Sequence, residues 1–164
     1  MRTEVGEYLV GAYLRLVEEC DVIDYNVRPP GGGIAGLGEL DVIGFNLKKK
    51  TVFVCEVTTH ILGLLYKSGE ESVERVKKKH LRQKAYAKKY LSDFSPTFMF
   101  WSPNVPQGIR TEKLAEIAGL ELVINGIYKA KISKLQEMAE TKTYDTQNPA
   151  FRVLQILAHM RDDA

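Results

Sequence analysis

Gly38-Glu39-Leu40-Asp41-Val42-Ile43-Gly44 and, after a short turn, Val52-Phe53-Val54-Cys55-Glu56-Val57-Thr58 are the stretches that decide the fold. Each reads as a hydrophobic strand with an acidic residue, and together they predict a hairpin over 39–46 and 51–58. Buried strands rarely carry carboxylates, because burying an unpaired charge is costly. Two carboxylates on paired strands are typical of a site that holds a hard cation against a phosphate. The alternative is that Glu39 and Asp41 are solvent-facing positions of a half-exposed hairpin.

The composition is typical of a soluble globular protein, with 45% hydrophobic and 27% charged residues. The length of 164 residues fits one domain over 1–164, with a core over about 3–125 and a helical C-terminal extension over about 127–164. A net charge of +2 identifies no partner class. No apolar run has membrane-spanning length and no signal peptide is recognised, so we expect a cytoplasmic protein without a membrane partner. Neither cysteine has metal-site spacing, and no organic cofactor is expected.

Hydrophobic periodicity predicts one mixed α/β domain with the element order α-β-β-β-α-β-α-β-α-α. The predicted helices cover 3–19, 70–92, 109–118, 127–140 and 147–162, and the predicted strands cover 22–27, 39–46, 51–58, 97–101 and 120–124. Asn125-Gly126 is expected to form a turn. The first helix places Glu4, Glu7 and Gly11 on its polar face. The glycine-rich segment 31–38 lacks the ending of a phosphate-binding loop and is interpreted as a flexible loop at the edge of a groove.

Strand alternation places Glu39 and Asp41 on one face of the first acidic strand. It places Glu56, Thr58 and His60 on one face of the second, if that strand extends so far. Because the two strands pair, the acidic faces are expected to meet.

These stretches resemble the PD-(D/E)XK, or restriction-endonuclease-like, nuclease superfamily, and within it the bacterial YraN family and the archaeal Holliday-junction resolvases. The segment 38–43 is similar to the element G-E-[IL]-D-[LIV]-I, and 52–57 is similar to V-F-V-x-E-V. Flanking matches lie at Gly6-Glu7, Tyr13-Leu14, Asn26-Val27-Arg28 and, on the basic helix, Ser72-Val73, Lys77-Lys78-Lys79, Leu81 and Ala87-Lys88-Lys89-Tyr90-Leu91. The likeness covers about residues 4–101. It implies a mixed central sheet flanked by helices, to which this chain adds C-terminal helices.

The resemblance also implies a metal site for Mg²⁺ or Mn²⁺. Asp41 and Glu56 would be its ligands, and the backbone carbonyl of Val57 a third oxygen. Glu7 matches a first-helix glutamate that completes the site in the resolvases, although it is also interpretable as an ordinary polar-face residue. Glu39 would either support the site from outside or be solvated.

The chain departs from the superfamily at Thr58, where a lysine is expected. That lysine supplies positive charge to the attacking water and to the phosphate, and a threonine hydroxyl supplies none. Three outcomes stay open. A lysine from elsewhere reaches the site, with Lys84 the first candidate and Lys79 or Lys67 behind it; His60 acts as a base; or the site binds without cutting.

The segment 67–89 holds nine lysines and arginines against three glutamates, which predicts a surface that follows a phosphate backbone. The residues assigned to this contact are Arg75, Lys78, Lys79 and Arg82. Gln83 lies on the apolar side of the helix, either supporting the site or buried and bonded to backbone. His80 on the same side is interpreted as a core histidine.

The function predicted from the sequence is metal-dependent hydrolysis of DNA phosphodiester bonds. The alternative is a non-catalytic, nuclease-fold DNA-binding module or a subunit of a larger complex. A third hypothesis is a structural interaction protein whose C-terminal helices dock a partner or a second copy of the chain. A homodimer is expected from the resemblance to the resolvases.

Overall fold

The computed structural model describes residues 2–30, 39–63 and 68–161. Its helices are α1 (Val5–Leu16), α2 (Gly69–Tyr90), α3 (Ile109–Ala115), α4 (Asn125–Thr141) and α5 (Pro149–His159). Its strands are β1 (Val22–Val27), β2 (Leu40–Asn46), β3 (Thr51–Val57), β4 (Ser95–Ser102) and β5 (Leu120–Ile124). The order along the chain, α1-β1-β2-β3-α2-β4-α3-β5-α4-α5, is the predicted one.

The strands form one mixed sheet in the order β1-β2-β3-β4-β5. β1, β2 and β3 are antiparallel neighbours, while β4 and β5 are added parallel to β3. The two parallel connections carry α2 and α3, as crossovers between parallel strands require. The predicted fold class, a mixed central sheet flanked by helices, is confirmed.

Helices cover both faces of this sheet. On one face, α1, α4 and α5 enclose a core that includes Val10, Cys55, Trp101, Leu135 and Phe151. The C-terminal helices therefore complete this core together with α1.

On the other face, α2 and α3 pack over two further clusters, which include Val54, Ala87, Val76, Phe100 and Leu114. Because β3 lies inside the sheet, its successive side chains enter opposite cores. Val54 and Glu56 therefore face α2, while Cys55 faces α1.

Most element boundaries differ from the sequence-based prediction by one to three residues, and the starts of α4 and β4 have identifiable causes. The predicted turn at Asn125-Gly126 is wrong, because α4 begins at Asn125. Asn125 has a φ of 50° and bonds Val105 through both ends of its amide, at 2.7 and 2.9 Å. The strand predicted from residue 97 begins at Ser95 and includes Pro96 at its start, where a missing N–H is tolerated. None of the helices described is long and apolar enough to cross a membrane.

Candidate metal and phosphate site

Asp41 and Glu56 come together on the face of the sheet that α2 covers. The β2–β3 register pairs Val42 with Cys55, so the next pair along the ladder is Asp41 with Glu56. Directly opposed residues of antiparallel strands have Cβ atoms about 5 Å apart. The Glu56 side chain is 4% exposed and that of Asp41 is 17% exposed. The predicted meeting of the two acids is therefore present, in a largely buried position.

Lys79 of α2 reaches both carboxylates. Its Nζ atom lies 2.7 Å from Glu56 Oε2 and 3.6 Å from Asp41 Oδ2. Asp41 Oδ2 also accepts a 2.8 Å hydrogen bond from the backbone N–H of Val57. A lysine from the helix thus supplies positive charge where Thr58 brings none.

The two acids carry more negative charge than this ammonium balances. Burial raises the pKa of Glu56 to about 8, and the charge of Asp41 adds to the rise while Lys79 opposes it. A carboxyl with such a pKa holds a proton in much of the population near neutral pH. A further cation at this point would allow both groups to stay ionised.

Glu7 is buried, with 8% exposure, so its predicted place on the polar face of α1 is wrong. At Gly11 the same side of α1 packs against β1, because a Cβ added there would overlap the Tyr25 hydroxyl. Glu7 Oε2 accepts the Glu4 N–H at 2.9 Å and so closes the cap of α1. Burial raises the pKa of Glu7, and the charge of Asp41 contributes to the rise. Glu7 therefore lies within electrostatic reach of the acid pair.

Asn26 holds Glu7 in this position, and sequence reasoning missed its part in the site. It lies between the Tyr25–Val42 and Val27–Leu40 pairs of the β1–β2 ladder, and so beside Asp41. Its amide nitrogen lies 3.3 Å from Glu7 Oε2. Its φ of 53° is a left-handed conformation, which asparagine tolerates better than most residues. An asparagine within a predicted strand was the available signal.

The residues that follow Glu56 leave the sheet early. β3 ends at Val57, so strand alternation does not extend to Thr58 and His60, and their predicted common face is not formed. Thr58 is half-buried, with its N–H bonded to the Trp101 carbonyl at 2.9 Å. His60 is exposed. The role of the Val57 carbonyl as a metal ligand stays a prediction. The roles of Thr58 and His60 in orienting or activating the attacking water also stay predictions.

Glu39 lies before β2 and pairs with Arg28, whose Nε donates to Glu39 Oε1 at 2.6 Å. Its side chain is 13% exposed, so it is not the solvated residue of the sequence-based alternative. The glycine-rich segment 31–38 and Lys67 lie outside the described residues.

Gln83 fixes α2 over the site. Its Nε2 donates to the carbonyls of Val54 at 2.9 Å and Met99 at 3.2 Å, and its Oε1 lies 3.1 Å from His80 Nδ1. His80 Nε2 lies 3.1 Å from the Ala118 carbonyl, so the interpretation of His80 as a core histidine is confirmed. The buried, backbone-bonded alternative for Gln83 is confirmed as well. Since Gln83 lies one turn after Lys79, it also supports the position of that lysine.

Lys84 and Lys79 lie on different sides of α2. Five residues correspond to about 140° around a helix, and Lys84 is exposed. Arg75 and Arg82 share the side of Lys79, at helical spacings of four and three residues. Lys78 directly precedes Lys79, about 100° around the helix. Arg75, Lys78 and Arg82 are all exposed. The basic face predicted to follow a phosphate backbone therefore begins beside the acid pair.

Asp41 and Glu56 fit a magnesium ion as a two-carboxylate site. Mg²⁺ is commonly bound by one or two carboxylates and completed by waters and substrate phosphates. Within residues 2–30, 39–63 and 68–161, no three His, Cys, Asp or Glu side chains group closely enough to hold a metal ion. Glu7 therefore does not form a three-residue metal-binding group with Asp41 and Glu56. Its role as a metal ligand stays a prediction.

Comparisons of this chain with protein-family models, with curated proteins and with solved structures find no match. Its function is therefore argued from the geometry of the site.

Proposed function

We propose that the protein is a Mg²⁺- or Mn²⁺-dependent nuclease that hydrolyses DNA phosphodiester bonds. The observation that carries this proposal is the contact of Lys79 with both Asp41 and Glu56. Two nearly buried acids and one lysine can hold a metal ion and stabilise phosphate charge, and here they come from β2, β3 and α2.

Asp41 and Glu56 would hold the ion in this scheme. A divalent ion held by these two side chains would supply neutralisation of the phosphate charge and would lower the pKa of a bound water. The backbone N–H of Val57 and the strand pairing hold Asp41 in place. The long flexible side chain of Lys79, 34% exposed, can turn its ammonium from the acids to a phosphate oxygen and stabilise the charge that develops there.

The adjoining face of α2 would carry the DNA backbone. Arg75, Lys78 and Arg82 are exposed beside Lys79 and can neutralise phosphates on either side of the cleaved bond. These contacts are independent of base sequence, so binding should weaken steeply as salt increases.

A cleavage assay on plasmid and branched DNA with Mg²⁺ or Mn²⁺ tests the proposal. We expect Asp41→Asn and Glu56→Gln each to lower the cleavage rate by about 100-fold or more, and a chelator to abolish cleavage. Glu137→Gln is the matched control, because Glu137 is an exposed acid on α4, on the opposite side of the sheet. Cleavage that survives both site substitutions would contradict the proposal. DNA binding that is unaffected by chelator, without cleavage, would favour the non-catalytic DNA-binding module.

A further inference from the structure

A cleft of about 260 Å³ lies beside the acid pair, between β2 and the C-terminal half of α2. Leu40, the residue directly before Asp41, forms one wall. Tyr86 and Tyr90 form much of the other, with Arg82 and Lys89 among the lining residues. Leu40 connects the cleft to the acid pair along β2, and the lining of the cleft combines aromatic with cationic side chains.

The two tyrosines form an aromatic surface on α2. Their ring centroids are 4.8 Å apart with planes at 49°, and both side chains are half-buried. Lys89 Nζ lies 5.2 Å from the Tyr90 ring centroid. Burial raises the pKa of Tyr86, with Tyr90 and the Asp24 carboxylate adding to the rise, so this ring is neutral. Arg82 and Lys89 are the lining residues whose positive charge can meet phosphates.

The cleft and the acid pair share one side of α2. Lys79, Arg82, Tyr86 and Lys89 follow one another at spacings of three, four and three residues, which keeps them on one helix face. Tyr86 lies about 10 Å along the helix axis from Lys79, and Tyr90 about 16 Å. A strand whose phosphate is at Lys79 could therefore place a base at the tyrosines a few nucleotides away.

We propose that this cleft binds a single-stranded segment of DNA next to the cleaved phosphodiester, with its bases stacked on Tyr86 and Tyr90. This inference rests on the proposed function, in which the acid pair cuts DNA. Unpaired bases stack on aromatic side chains whatever their sequence, whereas a duplex keeps its bases stacked on one another. Arg82 and Lys89 contact the phosphates of the same segment. The substrate class is therefore DNA with a single-stranded end, flap or gap.

Fluorescence anisotropy with a labelled single-stranded oligodeoxynucleotide, its duplex and the RNA of the same sequence tests the inference in chelator, where cleavage does not interfere. We expect Tyr86→Leu and Tyr90→Leu each to weaken single-strand binding at least about fivefold. Tyr86→Phe, which keeps the ring, should bind like the wild type. Tyr144→Leu is the matched control, because Tyr144 is 56% exposed and distant in sequence from α2. Thermal melting shows whether each variant is folded.

Photocrosslinking of an iododeoxyuridine oligonucleotide to the wild-type protein gives a second readout that no folding defect affects. Crosslinks mapped to Tyr86 or Tyr90 support the cleft, and crosslinks confined to other residues overturn it. Wild-type affinity in the folded leucine variants, an equal loss for duplex, or tighter binding of the RNA would each overturn it too.

Failure of the inference differs from failure of the proposed function. If cleavage depends on metal but single-strand binding does not depend on the tyrosines, the cleft proposal is wrong and the nuclease proposal stands. If single-strand binding depends on the tyrosines but neither metal supports cleavage, the nuclease proposal is wrong and the DNA-binding cleft stands.

Discussion

Two partly buried lysines, one on each side of the sheet, have opposite surroundings. Lys131 of α4 lies 3.1 Å from the Tyr13 hydroxyl and 3.5 Å from Glu121 Oε1, with its Nζ 4.7 Å from the Tyr13 ring centroid. Lys79 of α2 lies against two carboxylates, those of Asp41 and Glu56. The first lysine contacts aromatic rings and one acid, whereas the second contacts two acids.

Under the proposed function, this difference distinguishes Lys79, a lysine of the site, from Lys131, which stabilises the fold. Glu121 is 45% exposed, so water solvates its charge and folding loses little by placing it near Lys131. Glu56 is 4% exposed, and one ammonium does not balance both it and Asp41. Buried ion pairs are often no more stable than apolar packing of the same volume. In the proposed function, a bound cation would account for the two largely buried acids around Lys79, which folding by itself does not require.

Replacing each lysine by methionine should reveal the largest difference between Lys79 and Lys131. We expect Lys79→Met to lower the metal-dependent cleavage rate by about 10²- to 10³-fold, because the transition state loses its nearest cation. Lys131→Met should leave the rate unchanged and lower the free energy of unfolding by about 1–2 kcal/mol, through loss of the cation–π contact and the hydrogen bond. Cleavage kinetics and urea denaturation measure the two effects. An equal loss of activity in both variants would show that the lysines do not differ in role.

In metal-free protein, the raised pKa of Glu56 should make the free energy of unfolding depend on pH. The folded-state pKa of Glu56 is raised from 4.5 to about 8, so the folded state holds this proton more tightly than the unfolded state. The resulting stability is fully present below about pH 4.5 and is lost as the pH rises through about 8. Relative to Glu56→Gln, the wild type should therefore become less stable by a few kcal/mol over this range, because one pKa unit corresponds to about 1.4 kcal/mol.

Thermal melts in chelator at a series of pH values measure this slope. Asp41→Asn serves as a comparison variant, since removing the charge of Asp41 should lower the pKa of Glu56 and flatten the curve. Parallel curves for the wild type and Glu56→Gln would contradict the charge imbalance.

Tyr13→Phe should have the smallest effect of these substitutions, and the effect should be on the free energy of unfolding. Phenylalanine keeps the ring under Lys131 and loses only the hydroxyl, 3.1 Å from the lysine Nζ. We expect a loss of about 0.5–1.5 kcal/mol in the free energy of unfolding and no change in cleavage. Urea denaturation beside the cleavage assay checks both. A loss of activity would mean that the Lys131 region also affects the site.

The order of the elements was predictable because each depends on short-range pattern. Alternation in β3 and the 3.6-residue period of α2 are local properties of a segment, and both are found as predicted. The opposition of Asp41 and Glu56 followed from a hairpin between adjacent strands. The ends of the elements were less predictable. Because β3 ends at Val57, Thr58 and His60 do not lie on the predicted strand face.

The choice of lysine was not predictable in the same way. Sequence reasoning preferred Lys84 to Lys79, although the two lie on different sides of α2. Which side of a helix meets the sheet depends on its apolar stripe and on anchors such as Gln83, whose amide binds carbonyls of β3 and β4. The burial of Glu7 was missed for the same reason, since β1 and Asn26 cover a surface that α1 by itself would leave polar.

The sequence by itself determined the mixed α/β architecture, the pairing of two acids and a basic α2, because these follow from periodicity and from contacts between neighbouring segments. Only the tertiary structure decided that Lys79 meets both acids, that Glu7 is buried beside them, and that the tyrosines of α2 line a cleft. Those relations join segments distant in the chain, and they depend on the rotation and register with which helices pack on the sheet. Packing of whole elements sets these quantities, and no local pattern encodes them.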